Sequence, residues 1–422
     1  MKRTIQIGYG SAQIPFDCDP EQFKLLRQSE ADKRTLTDTE ISEALDNPIA
    51  SPRLENIVGA RDKVVIVVPD ATRAAGIARI TGLLVQRLRD HGLLDRNISI
   101  LIGGGIHRPP TLNEVRAIVG PAISETIATY DHVARDPTAQ AFLGVTSRGT
   151  RVLVNRRLVE TDHVILCGGI CFHYIAGFSG GRKAVVPGCG AEETIQATHL
   201  LSFDRDTLEK HPAIASGNLA GNPVHENMEE AVAMLSPSFL VNTVLNQRNE
   251  ISDIYAGDWR EAHRRGCMDY AASHTVNFST RSPLVIVSTG GAPSDVNLIQ
   301  SHKAMEHAAT LLEEEGTMVV VAECAQGLGR DDFLDWFVPG GSRATALRLL
   351  KNYHINGQSA WGLRRKTERF RIRLVSALDA ELVTFMGMEP HPTLASALKG
   401  LPQTVGYVLP SGVSTLPRSE LL

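Results

Sequence analysis

The sequence predicts an α/β protein of two domains. Three observations carry that prediction. Short β-branched runs close on glycine or polar loops, and amphipathic segments of helical length separate them. The third is a chain of 422 residues, 43% of them apolar, which at roughly 150 residues per domain suits two or three domains, two being the working expectation. That composition excludes a disordered chain, a collagen and a disulfide-stapled miniprotein. Lysine and arginine number 43 against 47 acidic residues, a net charge of −4, so no positive field gathers nucleic acid or an anionic membrane. The expected partners are small molecules.

The run 64–68 (VVIVV) reads as a buried parallel strand ending at Pro69-Asp70, and 77–91 (IARITGLLVQRLRDH) as the helix that follows. A second unit repeats the pattern: strand 98–102 runs into Gly103-Gly104-Gly105, and Pro109-Pro110-Thr111 opens a helix near Leu112. A third strand, 163–167, leads into a glycine-rich stretch that extends to Gly190. A different region begins near Ser282, where strand 284–288 ends at Thr289-Gly290-Gly291 and a helix bearing Gln300 and Lys303 follows. Strands at 318–321 and 372–375 complete a second α/β set, which places the domains at 1–275 and 276–422.

The six cysteines include no CxxC pair, so a disulfide framework is not expected. The N-terminus turns polar before any apolar targeting segment forms, and no run of about 18 apolar residues occurs. The reading is a cytoplasmic protein with no membrane segment.

Ligands of open parallel sheets gather beyond the carboxyl ends of the strands, and the unusual residues of this chain fall there. In PDATR, Asp70 and Thr72 suit either a helix cap or a ligand contact, and Arg73 offers a donor fork for a carboxylate or phosphate. GGGIHRPPT lacks the last glycine of GxGxxG, so it is no dinucleotide fingerprint; its His107 is either structural or a proton carrier. The densest segment, 170–199, holds His173, the turn GFSGGRK with Lys183, and His199 on a later helix. GFSGGRKA fails the GxxxxGK[ST] pattern of a phosphate loop. His199 suits a soft or borderline metal, but no histidine or carboxylate four residues earlier shares that role, so other donors must come from elsewhere. Gln300 and Lys303 share a helix face, serving either as solvated polar residues or as a grip on a carboxylate.

Taken together, VVPDATR, GGGIHRPPT, the 170–199 segment, GNPVHENMEEA and PSDVNLIQSHKA resemble, in order, the nickel-pincer lactate racemase family of 2-hydroxyacid racemases and epimerases. The resemblance spans roughly 64–398 and implies two α/β domains with the site in the cleft between them. It implies a pyridinium mononucleotide with a thioamide and a thiocarboxylate, its nickel held by two sulfurs and a ring carbon. It places the covalent tether on Lys183 and the nickel ligand on His199, which answers the missing-donor question. His107 and His173 match the acid/base pair, Asp70, Thr72 and Arg73 the loop contacting cofactor and substrate, and Arg73, Gln300 and Lys303 the substrate holders. The implied reaction inverts C2 by proton-coupled hydride transfer to the pincer through a 2-keto acid. Separate cofactor-building enzymes are implied as partners. Ile299 stands where lactate-acting relatives tend to carry an aromatic residue, so malate, aryl-lactates and sugar acids such as gluconate join the expected substrates. Two rival readings are a nicotinamide dehydrogenase, opposed by the missing GxGxxG, and a non-catalytic protein gripping an anionic metabolite through Arg73 and Lys303.

Overall fold

The computed structural model describes residues 3–28, 33–73, 75–401 and 404–420. The chain forms two compact units, one of residues 31–202 and 211–270, the other of 1–30, 203–210 and 271–422. Each is built on a six-stranded sheet.

In the first unit the strand order is Ile251–Gly257, Phe239–Leu245, His163–Gly169, Val64–Pro69, Ile98–Gly103, Ala128–Asp131, parallel except for the antiparallel edge Ile251–Gly257. Val64 to Val68 are all buried, because a parallel strand covered on both faces has no side left for polar residues. Helix Ile77–Asp90 covers one face through Ile80, Leu84 and Leu88, spaced at helical periods and packed on Ile66, Val68 and Ile100. Helix Leu112–Val119 starts in a capping box, with Thr111 and Glu114 satisfying each other's amides. The sheet order reverses direction between Val64–Pro69 and His163–Gly169, so the loops after these two strands flank a switch point.

The second unit has an all-parallel sheet in the order Glu389–His391, Arg371–Val375, Leu312–Val321, Ser282–Ser288, Gly406–Leu409, Phe23–Leu25. Its core gathers Ile286, Val319, Val321, Val375 and Val408. This division departs from the contiguous one expected at 275 in three places, the first being the boundary itself, which falls after residue 270. Residues 1–30 join the second unit because Phe23–Leu25 pairs with Gly406–Leu409 and because Ile5, Ile7 and Phe16 of the hairpin Arg3–Tyr9 and Ala12–Cys18 enter its core. The segment 203–210 joins it through Phe203, whose ring lies 4.3 Å from that of Trp361, and through Lys210, 3.3 Å from Glu306. All six cysteines are free, Cys171 alone being exposed. Among the described residues no helix is long and apolar enough to cross a membrane.

Candidate active site

The predicted loops cluster at the switch point of the first unit. Asp70, directly after Val64–Pro69, is buried, and its Oδ2 lies 2.6 Å from His107 Nδ1, beyond the neighbouring strand Ile98–Gly103. Its Oδ1 accepts the Thr72 amide at 3.1 Å and the Thr72 hydroxyl at 2.6 Å. Asp70 is therefore not a helix cap, since helix Ile77–Asp90 starts at Gly76 with no side-chain cap. Burial pushes the Asp70 carboxyl up, but the hydrogen bond and charge of His107, with help from Thr72 and Arg73, outweigh it and hold the group below the ordinary carboxylate range. An ionised carboxylate only accepts, so His107 donates from Nδ1, and in the neutral form of the ring the lone pair is on Nε2. The sequence offered Asp70 and His107 separately; their pairing across 37 residues depends on adjacent parallel strands.

The close approach permitted by Gly103 and Gly105 is to the chain's own turn. A Cβ on Gly103 would stand 3.2 Å from Cys189 Sγ, and the Gly105 amide donates to Gly188 O at 2.8 Å. That contact sets the histidine loop against the turn bearing Lys183. Lys183 lies in the single helical turn Gly181–Ala184, whose entry needs glycine: Gly181 has φ +52°, and a Cβ there would come within 2.6 Å of the His263 ring. His199, near the end of helix Glu192–Leu200, is buried, with Nδ1 2.8 Å from Ile195 O. A carbonyl only accepts, so Nδ1 carries the proton and the lone pair sits on Nε2. Burial, aided by the charge of Lys183, pulls its pKa down to about 4, which keeps the ring neutral at physiological pH. A neutral imidazole oriented by a backbone carbonyl suits a metal ligand. Among the described residues no three His, Cys, Asp or Glu side chains gather as a metal site.

His173 closes the short strand Phe172–His173, paired with Gly177–Phe178. Its Nδ1 accepts the amides of Ile175 at 3.2 Å and Ala176 at 3.1 Å, which leaves the ring proton on Nε2. The two predicted acid/base histidines thus hold opposite tautomers.

In the second unit, Gln300 and Lys303 ride on helix Leu298–Ala308, where Lys303 Nζ donates to Gln300 Oε1 at 2.5 Å. Behind them a buried network fixes the helix: Lys366 Nζ binds Glu306 and lies 2.9 Å from His302 Nε2. Sequence reading missed this network, and also Asn222 and Asn227, whose partners Ile175 and Thr198 lie 47 and 29 residues away; Arg182, read only as the basic tip of its turn, is buried instead. GNPVHENMEEA was the available signal, since it carries both asparagines.

Burial also makes several histidines acid-sensitive. Burial, with Arg182 and Arg260 adding to it, lowers His225 to about 3, and burial with Lys366 lowers His302 to about 3. As pH falls below the ordinary imidazole value, the unfolded chain takes up these protons first, so stability present above about pH 6.5 is lost on acidification. Between pH 7.5 and 5 the loss should be about 2 kcal/mol per histidine, read from urea unfolding at both pH values. Equal midpoints would contradict neutral burial.

Comparison with known proteins follows the same outline. The model of the lactate racemase N-terminal domain matches residues 9–210, and that of the lactate racemase C-terminal domain matches 278–416. The chain belongs to the lactate racemase family. As a member it is an isomerase. It is 30% identical to the lactate racemase of Thermoanaerobacterium thermosaccharolyticum, over 99% of this chain and 100% of that one. It is 32% identical to the lactate racemase of Lactiplantibacillus plantarum, over 78% and 77% of the two chains. The solved lactate racemase apoprotein from T. thermosaccharolyticum superposes with a TM-score of 0.90 at 29% identity, covering 99% of this racemase and all of the other chain. A Thermotoga maritima protein at 18% identity and a TM-score of 0.70, covering 93% of this chain and all of its own, shares the fold.

Proposed function

We propose that this racemase inverts C2 of a small 2-hydroxycarboxylate, lactate first, with a nickel-pincer nucleotide tethered at Lys183 and its nickel on His199. The Asp70–His107 pair carries the reading: a buried carboxylate fixes a histidine with its lone pair outward, the arrangement of a general base. The neutral His199, beside Lys183, supports the cofactor assignment. The C2 hydrogen is a poor acid because the adjacent carboxylate is already anionic. The bound cofactor would supply an acceptor for that hydrogen with its electron pair. His107 removes the hydroxyl proton at Nε2, and Asp70 stabilises the imidazolium that results. His173 presents Nε2–H to the oxygen as a hydrogen-bond donor, and the proton taken by His107 returns to that oxygen as the hydrogen returns to C2. Arg73, Gln300 and Lys303 bind the carboxylate, by charge and by amide donation. We place the protein in the cytoplasm with the enzymes that build its cofactor.

Ile299, half-buried before Gln300, favours a second substrate reading. An aliphatic side chain where an aromatic one is expected leaves room for a longer hydroxy acid, with malate, aryl-lactates and gluconate as candidates.

The test is chiral chromatography of L-lactate and larger 2-hydroxy acids incubated in deuterium oxide with protein co-expressed with the cofactor-building enzymes. The expected product is the opposite enantiomer with protium kept at C2. Inversion of none of these acids, or full deuterium at C2, would overturn the proposal.

A further inference from the structure

We infer that Asn222, with Arg182 on the adjoining peptide, is a positioning residue that fixes the tautomer of His173. Asn222 is fully buried at the start of helix Pro223–Leu235. Its Oδ1 accepts the amides of Val224 and His225, both at 3.1 Å, which settles the orientation of the side-chain amide. Nδ2 is then the donor, to Ile175 O at 2.9 Å and Asn218 O at 3.1 Å. The carbonyl of Ile175 and the amide of Ala176 belong to one planar trans peptide and point in opposite directions. Gripping that carbonyl from one side therefore aims the Ala176 N–H from the other, and its target is His173 Nδ1 at 3.1 Å.

The next peptide is held in the same manner. Arg182 is 1% exposed, and its Nη2 donates to Ala176 O at 2.6 Å. Its Nη1 lies 2.9 Å from His263 Nε2, while its Nε has no hydrogen-bond partner among the described residues. Burial pulls this guanidinium down to about 10, so it is kept inside against a desolvation cost. The turn closes at Gly177, where a Cβ would stand 2.2 Å from Asn218 O. With the 175–176 plane held by Asn222 and the 176–177 plane braced by Arg182, Ala176 presents its amide to Nδ1 beside that of Ile175, and a proton on Nδ1 would break both contacts. His173 is thereby kept as an Nε2–H donor, while Asp70 keeps His107 as an acceptor. GNPVHENMEEA thus sets the second histidine of the pair.

This inference rests on the reading that His173 serves the substrate, and its test separates the two. Asn222→Asp keeps the helix-capping oxygen but replaces the donor with a second acceptor, which repels Ile175 O. Long-range proton–nitrogen NMR on the cofactor-free protein, labelled with 15N-histidine, reports which ring nitrogen of His173 bears the proton, with His173→Gln assigning its signal among the 14 histidines. The wild type should show protonated Nε2 and bare Nδ1; Asn222→Asp should show a mixture or the reverse. Asn222→Ser, which caps but is too short to reach Ile175, serves should the first variant not fold, with the same outcome expected. In matured protein either variant should lower kcat about tenfold or more with KM little changed. A wild-type His173 protonated on Nδ1, or folded variants with an unaltered His173 tautomer, would overturn the inference. A shifted tautomer in a protein whose wild type inverts no hydroxy acid would leave the positioning role standing and remove the functional reading instead.

Discussion

Asp70→Asn should lower kcat for C2 inversion by about 10²–10³-fold while leaving KM and the fold largely intact. The volume is unchanged, and Thr72 still finds an oxygen at the old Oδ1 position. What changes is the partner of His107. A carboxylate at 2.6 Å accepts the Nδ1 proton, whereas an amide nitrogen in that place donates, driving the proton to Nε2 and blocking the position that must receive the hydroxyl proton. The charge that would stabilise the imidazolium is also lost. Initial rates by chiral chromatography, in both directions, measure the effect. A variant within about threefold of the wild type would show that Asp70 does not act through His107.

Lys183→Ala should abolish inversion, and Lys183→Arg should not restore it. A tether needs an amine able to form a covalent bond, and a guanidinium that is always protonated does not supply one. The local fold should survive, because Lys183 contributes backbone to its turn: its amide donates to Gly180 O at 3.1 Å and its carbonyl accepts from Gly188 at 3.0 Å. His199→Ala should behave differently. It leaves the amine in place, so attachment should persist while nickel content falls.

Much of this was open to reading in the sequence, for a physical reason. Strands covered on both faces are continuous apolar runs, so the strand expected over 64–68 is present as Val64–Pro69 and that over 98–102 as Ile98–Gly103. The helix expected over 77–91 is Ile77–Asp90, with His91 as its cap. The i,i+3 spacing of Gln300 and Lys303 likewise translates directly into a hydrogen bond. What the pattern does not carry is which strands become neighbours. Phe23–Leu25 is three residues long and finds its place only beside Gly406–Leu409, so the affiliation of 1–30 was hidden. The same holds for the pairing of Asp70 with His107 and for the grip of Asn222 on Ile175, each a contact between residues dozens of positions apart. Residue type announces a candidate, and long-range packing decides its role. For Asp70 the local alternative, a helix cap, was equally reasonable until the strand order was seen.

The most direct single measurement is intact-mass analysis with nickel determination on protein co-expressed with the cofactor-building enzymes. Wild-type protein should carry a covalent adduct of mononucleotide size and about one nickel, and Lys183→Ala should carry neither. An unmodified, nickel-free wild-type chain that still inverts a 2-hydroxycarboxylate, or an adduct that persists in Lys183→Ala, would contradict the central claim.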